Sequence, residues 1–204
     1  QPFKSEELSF WLHYGITDKI LQQYHVKSLV RYETTNNQGK TYSLTSTIEE
    51  PIFCYVMGDF VKLYRPQSKL RFLYGGEKLK DYIFGFEQLP NKGDVLFITG
   101  GEKDVMSLAS HGFSALTFNS ETANIPEGIF EDLSKRFSKI IFLYDTDATG
   151  RKESELRVQQ YREKYNVFKL DLPLAGSKSE KDISDFFRLG HTDKELQALI
   201  NSQQ

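Results

Sequence analysis

The stretch Lys139-Ile-Ile-Phe-Leu-Tyr-Asp-Thr-Asp-Ala-Thr-Gly150 decides the fold. Its opening run, Lys139–Tyr144, is apolar and β-branched, of a length that suits a buried strand. The run stops at Asp145, and after Gly150 the sequence turns charged and helix-like. A strand followed by D-x-D and a small-residue turn projects two carboxylates from the carboxyl end of a sheet, where open α/β folds build their sites. Mg²⁺ takes hard oxygen ligands from one or two carboxylates together with substrate phosphates. Asp145 and Asp147 therefore predict a Mg²⁺ site, and with it phosphoryl transfer on nucleotides or nucleic acid.

Working outward, short apolar strands alternate with helical patterns from Gly93 onward, as in a parallel α/β unit. The expected strands are Val95–Thr99, Ala115–Phe118, Lys139–Tyr144 and Val167–Leu172. Between the first two, EKDVMSLASHG places Val105, Leu108 and Ala109 on one face, with Gly112 as the residue beyond the helix end. Further helices are expected over Pro126–Phe137, Thr149–Tyr165 and Asp182–Leu189, the last stopped by Gly190. Thr192-Asp-Lys-Glu195 reads as a capping box opening a final helix. The first ninety residues differ. Two short helices, Ser5–Tyr14 and Thr17–Tyr24, precede aromatic and β-branched segments broken by NNQGK and YGGEKL. A small α+β domain over 1–90 is expected, joined near the Pro90-Asn-Lys-Gly93 loop to an α/β domain over 91–204.

At 204 residues, with 39% hydrophobic and 14% aromatic content, the chain can bury a substantial core. Its net charge of −2 argues against coating nucleic acid by bulk electrostatics, so such binding needs a local basic patch. Cys54 is alone, which excludes an internal disulfide and a cysteine-based zinc ribbon, and it reads as a small buried residue. No apolar run approaches the ~20 residues of a membrane span, and QPFKSEELSF lacks a signal-peptide core, so a cytoplasmic protein without membrane contact is expected. The start at Gln1, without Met, suggests a piece of a longer polypeptide. His13, His25, His111 and His191 show no metal-ligand spacing and read as packing or surface residues. No G-x-x-x-x-G-K-[ST] occurs, so ATPase or helicase activity is not expected of this chain.

Three acidic clusters fall where such a sheet would expose them: GGEKD at 100–104, YDTDATG at 144–150 and EKDISDF at 180–186. With the first and third strands as neighbours, Glu102, Asp145 and Asp147 converge, and Asp182 or Asp185 arrives from the helix after the fourth strand. Two ions held about 3.5–4 Å apart would serve an in-line displacement. Each cluster alone has a second reading, because carboxylates favour helix N-termini.

The segments FITGGEKDVMSL, IIFLYDTDATGRKE and SEKDISDFFRLG resemble, in order and spacing, the Toprim motifs E-G-x-x-D, D-x-D-x-x-G and K-D-x-x-[DE]. The resemblance covers about residues 93–190, and KLYRPQSKLRFLYGG and TFNSETANI make the likeness greatest to the bacterial and phage-type DNA primases. It implies a Toprim-like (Rossmann-like) parallel sheet of about four strands with flanking helices, after a small α+β accessory domain. It also implies Mg²⁺ or Mn²⁺ held by Asp145, Asp147, Asp182 and Asp185, with Glu102, Asp145 and Asp147 in catalysis. Single-stranded DNA and nucleotide triphosphates are the implied partners, along with a replicative helicase in the same or another chain.

One departure stands out. Alignment on Asp104 puts Gly100 where the family carries its general acid/base glutamate, with Glu102 two residues on. Either Glu102 takes over, or the domain binds metal and nucleic acid without polymerising. A metal-dependent Toprim nuclease is a further alternative. Lys103, Arg151 and Lys152 are placed to meet phosphate, and the Ala148-Thr-Gly150 loop would let backbone approach one. Upstream, Lys62, Arg65, Lys69 and Arg71 interleave with Tyr64 and Phe72, as suits a groove that tracks a single strand. A hairpin with one wet and one buried face would show the same alternation.

Overall fold

The computed structural model describes residues 1–35, 38–77 and 79–202. The breaks expected at NNQGK and YGGEKL fall partly on residues 36–37 and 78, outside the described residues. The chain divides into two compact units, one of residues 1–13 and 17–80, the other of 14–16 and 81–204.

In the first unit, helices α1 (Ser5–Leu12) and α2 (Asp18–Gln23) precede strands β1 (Val26–Leu29), β2 (Arg31–Thr35), β3 (Thr41–Thr45), β4 (Ile52–Met57), β5 (Phe60–Tyr64) and β6 (Phe72–Gly76). Strands β1, β4, β5 and β6 form an antiparallel sheet in the order β1-β4-β5-β6, and β2 pairs with β3 as a separate hairpin. Alternation along β4 and β5 gives the sheet two buried faces. Ile52, Cys54 and Leu63 pack with Tyr32 and Leu44 of the hairpin, whereas Phe53 and Tyr64 pack against Phe10 and Trp11 of α1. Cys54 is buried as expected, and burial pushes its thiol up to about 11, which leaves it unreactive.

The second unit holds β7 (Ile83–Phe84), β8 (Gly93–Thr99), α3 (Glu102–Ser110), β9 (Ser114–Phe118), α4 (Glu127–Arg136), β10 (Phe137–Leu143), α5 (Ala148–Tyr161), β11 (Val167–Lys169), α6 (Ile183–Arg188) and α7 (Asp193–Asn201). Its sheet runs β11-β10-β8-β9-β7, with four parallel strands and β7 antiparallel at one edge. The expected neighbourhood of the first and third parallel strands is present as β8 against β10. Ile83–Phe84 pairs with β9, so the segment from Asp81 belongs to this unit and the division falls ahead of the 89–94 loop. The last parallel strand stops at Lys169, short of the expected Leu172.

Apolar residues on both faces of β8 and β10 require cover on both sides. Leu96, Ile98, Ile140 and Phe142 meet Phe130 and Leu133 of α4 and Tyr161 of α5, while α3 lies against β8 and β9 on the other face and packs with α6. Gly112, at φ +80°, ends α3 in the left-handed conformation that a residue with Cβ resists. His111 and His191 stack on Phe187 and Phe186, the packing roles expected of them. Among the described residues, no helix is long and apolar enough to cross a membrane.

Candidate metal centre

Strand register brings the acidic segments to one edge. Thr99 pairs with Leu143 on one side and Thr117 on the other, so the chain leaves β8, β10 and β9 at the same end of the sheet. The segment before α6 is fastened there as well, because Lys181 O accepts bonds from Thr146 N at 2.8 Å and Thr146 Oγ1 at 3.2 Å.

Three carboxylates meet at this edge. One oxygen each from Asp104, Asp145 and Asp182 lies within 4.8 Å of the others. Asp104, in the first turn of α3, is 6% exposed, and its Oδ1 is buried without a hydrogen-bond partner. Burial and the nearby Asp182 carboxylate push Asp104 well above the usual carboxylate range. Asp145 is also raised, by burial, in spite of the Lys181 ammonium 2.5 Å away. Asp182 goes the other way. Burial opposes its ionisation, but Lys103 at 3.1 Å and bonds from Ser184 Oγ and the Asp185 amide hold it below the usual range.

The other sequence candidates are placed differently. Glu102 is buried, but its Oε1 accepts a 2.5 Å bond from the Tyr82 hydroxyl, and it is not part of the three-carboxylate cluster. Asp147 caps α5, where its Oδ1 accepts from Thr149 N and Gly150 N and its Oδ2 from Lys181 Nζ at 3.0 Å. Those amide bonds and Lys181 hold Asp147 below the usual range. They also occupy two amides of the Ala148-Thr-Gly150 loop, so the expected approach of that backbone to a phosphate gives way to an N-cap. Asp185 is buried and engages Arg188 and the Lys181 amide, apart from the cluster. In the sequence, Asp104 stands out only as an anchor of the E-G-x-x-D alignment. Its spacing from Glu102 on a helix start is the signal that the two acids face different ways.

Among the basic candidates, Lys103 contacts Asp182 and lies 4.1 Å from the centroid of the Tyr14 ring. Burial would lower its pKa, yet Asp182 and Asp104 raise it above the ordinary lysine value. Arg151 donates through Nε to Thr146 O at 2.8 Å, and Lys152 is exposed. In the first unit, Lys62 is buried with its ammonium 4.6 Å from the centroid of the Phe72 ring, so it is not the exposed phosphate contact expected of it. Lys69 and Arg71 are exposed, and Arg65 lies 3.7 Å from Glu50. Phe72 and Tyr74 face solvent at 37% and 51% exposure beside Lys62, so one face of the β5–β6 pair carries both rings and the cation.

The segment after β9 contributes a group that sequence motifs do not single out. Glu121 Oε1 accepts the Asp145 amide at 2.8 Å, and burial pushes Glu121 up to about 7. Arg157 of α5 donates to Glu121 O and Ala123 O and so braces this segment.

This architecture matches solved structures along nearly its whole length. The DnaG primase catalytic domain bound to ssDNA superposes with a TM-score of 0.73 at 14% identity, over 100% of this chain and 73% of that one. The fold is similar to that of the primase catalytic cores. A DNA primase domain from Pseudomonas aeruginosa gives 0.70 at 17% identity, over 99% of this chain and 73% of its own. The Aquifex aeolicus primase, with zinc-binding and RNA polymerase domains, gives 0.70 at 16% identity over 98% of this chain. The chain spans 56% of that primase's length. No protein-family model and no curated protein matches the sequence.

Proposed function

We propose that this chain is a primase-like Toprim module that transfers nucleotides on single-stranded DNA with Mg²⁺ or Mn²⁺, making RNA primers in DNA replication. The observation that carries this reading is the buried, unpartnered Asp104 Oδ1 within a cluster of three carboxylates at the carboxyl ends of parallel strands. A buried carboxylate oxygen without a donor is costly, and a cation is the partner that its chemistry fits. The donor set is all oxygen, as Mg²⁺ and Mn²⁺ prefer. Asp104, Asp145 and Asp182 would hold the ion, with Asp147 beside them. A bound ion of this kind neutralises triphosphate oxygens and orients the reacting groups.

The chain's own residues have separate tasks. Arg151 and Lys152, at the start of α5, would offer positive charge to a triphosphate. Lys103 sets Asp182 in place by their ion pair. On the first unit, Phe72 and Tyr74 offer rings on which bases can stack, with Lys69 and Arg71 for the phosphates. A replicative helicase, in the same chain or another, is the partner that this role requires.

The direct test is primer synthesis from a single-stranded DNA template with ribonucleotide triphosphates and Mn²⁺. Template-dependent oligoribonucleotides, lost in Asp145→Asn, are the expected product. DNA cleavage without triphosphates would instead identify a nuclease, and DNA binding with neither reaction would identify a degenerate module. Independently, Phe72→Ala with Tyr74→Ala should weaken single-strand binding by about tenfold or more, since each stacked base is worth about 1–3 kcal/mol. Fluorescence anisotropy of a labelled oligonucleotide checks this, and unchanged affinity would return the face to ordinary surface. The melting temperature of the double variant is measured beside it, because Phe72 also stacks on Tyr64 and both rings lie over buried Lys62.

A further inference from the structure

Gly100, just past the end of β8, carries no side chain, and a carboxylate lies against it. An ideal Cβ built on Gly100 would lie 2.9 Å from both Cγ and Oε1 of Glu121 and 3.2 Å from its Cδ. The space that a strand-end side chain would enter is thus filled by the acid of Glu121. That acid comes from the segment after β9, the strand that pairs directly with β8. Two contacts hold it there. Its Oε1 accepts the Asp145 amide, and Arg157 grips the Glu121 and Ala123 carbonyls from α5. It therefore sits on the backbone of one member of the three-carboxylate cluster, in the electrostatic reach of Asp145, Asp147 and Lys181. A side chain of another type could accept the same amide, so packing alone does not call for an acid at this position.

We infer that Glu121 is a carboxylate of the cation site, supplied from the neighbouring strand's loop in place of one that Gly100 cannot supply. This rests on the proposed metal-dependent reading of the site. Glu102 is bound to Tyr82 instead, and the glycine is the complement of the Glu121 acid, because a Cβ at position 100 would press on it.

Mn²⁺ binding, read by the free-ion electron paramagnetic resonance signal, tests the inference without reference to turnover. Wild type is compared with Asp145→Asn, Glu121→Gln, Glu121→Ala, and Glu121→Ala combined with Gly100→Glu, each with its melting temperature. Glutamine keeps the shape and can still accept the Asp145 amide. Glu121→Gln is expected to melt with wild type yet to lose about tenfold in Mn²⁺ affinity, within the range typical of groups that tune a metal site. The combined variant should recover much of what Glu121→Ala loses. Wild-type Mn²⁺ affinity in Glu121→Gln, with binding lost in Asp145→Asn, would overturn the inference and leave the metal-site reading standing. Wild-type affinity in Asp145→Asn as well, or no Mn²⁺ binding by wild type, would overturn both.

Discussion

Asp104→Asn is expected to raise the melting temperature of the metal-free protein and to abolish its stabilisation by Mn²⁺. Asp104 is 6% exposed, one of its oxygens has no hydrogen-bond partner, and Asp182 and Asp145 repel its charge. Asparagine keeps the shape and removes the charge. Removing an acid that burial and the neighbouring carboxylates disfavour raises the metal-free midpoint, and at this chain length each kcal/mol moves it by about 2–4 °C. With the cation the ranking reverses. An ion at one hundred times its dissociation constant stabilises the folded state by about 2.7 kcal/mol, and the variant forfeits that gain along with a ligand. Melts in chelator and in saturating Mn²⁺ give both numbers. A variant less stable than wild type in chelator, yet equally responsive to Mn²⁺, would make Asp104 a structural acid.

Gly150→Ala should be the more damaging substitution, although it adds a single methyl group. The added Cβ would lie 2.1 Å from Asp145 O and 2.7 Å from Asp145 N. Backbone cannot give way as a flexible side chain can, so either the first turn of α5 or the Asp145 segment must move. A loss of about 3 kcal/mol or more is expected, at the upper end for an overpacked site, with Mn²⁺ binding lost because Asp145 moves. Gly128→Ala is the control: no atom lies within 4 Å of its added Cβ, and it sits in α4. It should gain about 0.4–1 kcal/mol by restricting the unfolded chain. Urea titration of the two variants beside wild type decides it. Equal midpoints would mean that the Asp145 backbone tolerates displacement.

Elements with a strong local period are legible in the amino-acid sequence. The run ending at Tyr144 had to be a strand because it is apolar on both faces and too short for a helix, and Thr192 with Glu195 does form its capping box. Strand Ile83–Phe84 is invisible there, since two residues carry no period and its pairing with β9 is set by the sheet. The site is legible as a set of acidic segments but not atom by atom. Lys62 follows the same alternation as a solvated cation, and only its place against Phe72 and Tyr74 shows that it is buried. Asp104 and Glu102 differ by less than one helical turn, which is enough to send one to the cluster and the other to Tyr82. Glu121 lies in a segment with no period at all, and its meeting with Gly100 depends on strand order, which local sequence does not encode.

The two lysines at the acidic edge have an effect on how a cation would enter. Lys181 already sits between Asp145 and Asp147, and Lys103 against Asp182. Filling the centre is then an exchange of one positive charge for another, and its driving force is a difference between two attractions. On the proposed reading, such a centre would take up its ion reversibly and would gain most when the freed ammonium groups had somewhere to go. On the same reading an incoming polyphosphate would provide that destination, so ion and nucleotide would be expected to arrive as a pair, each making room for the other.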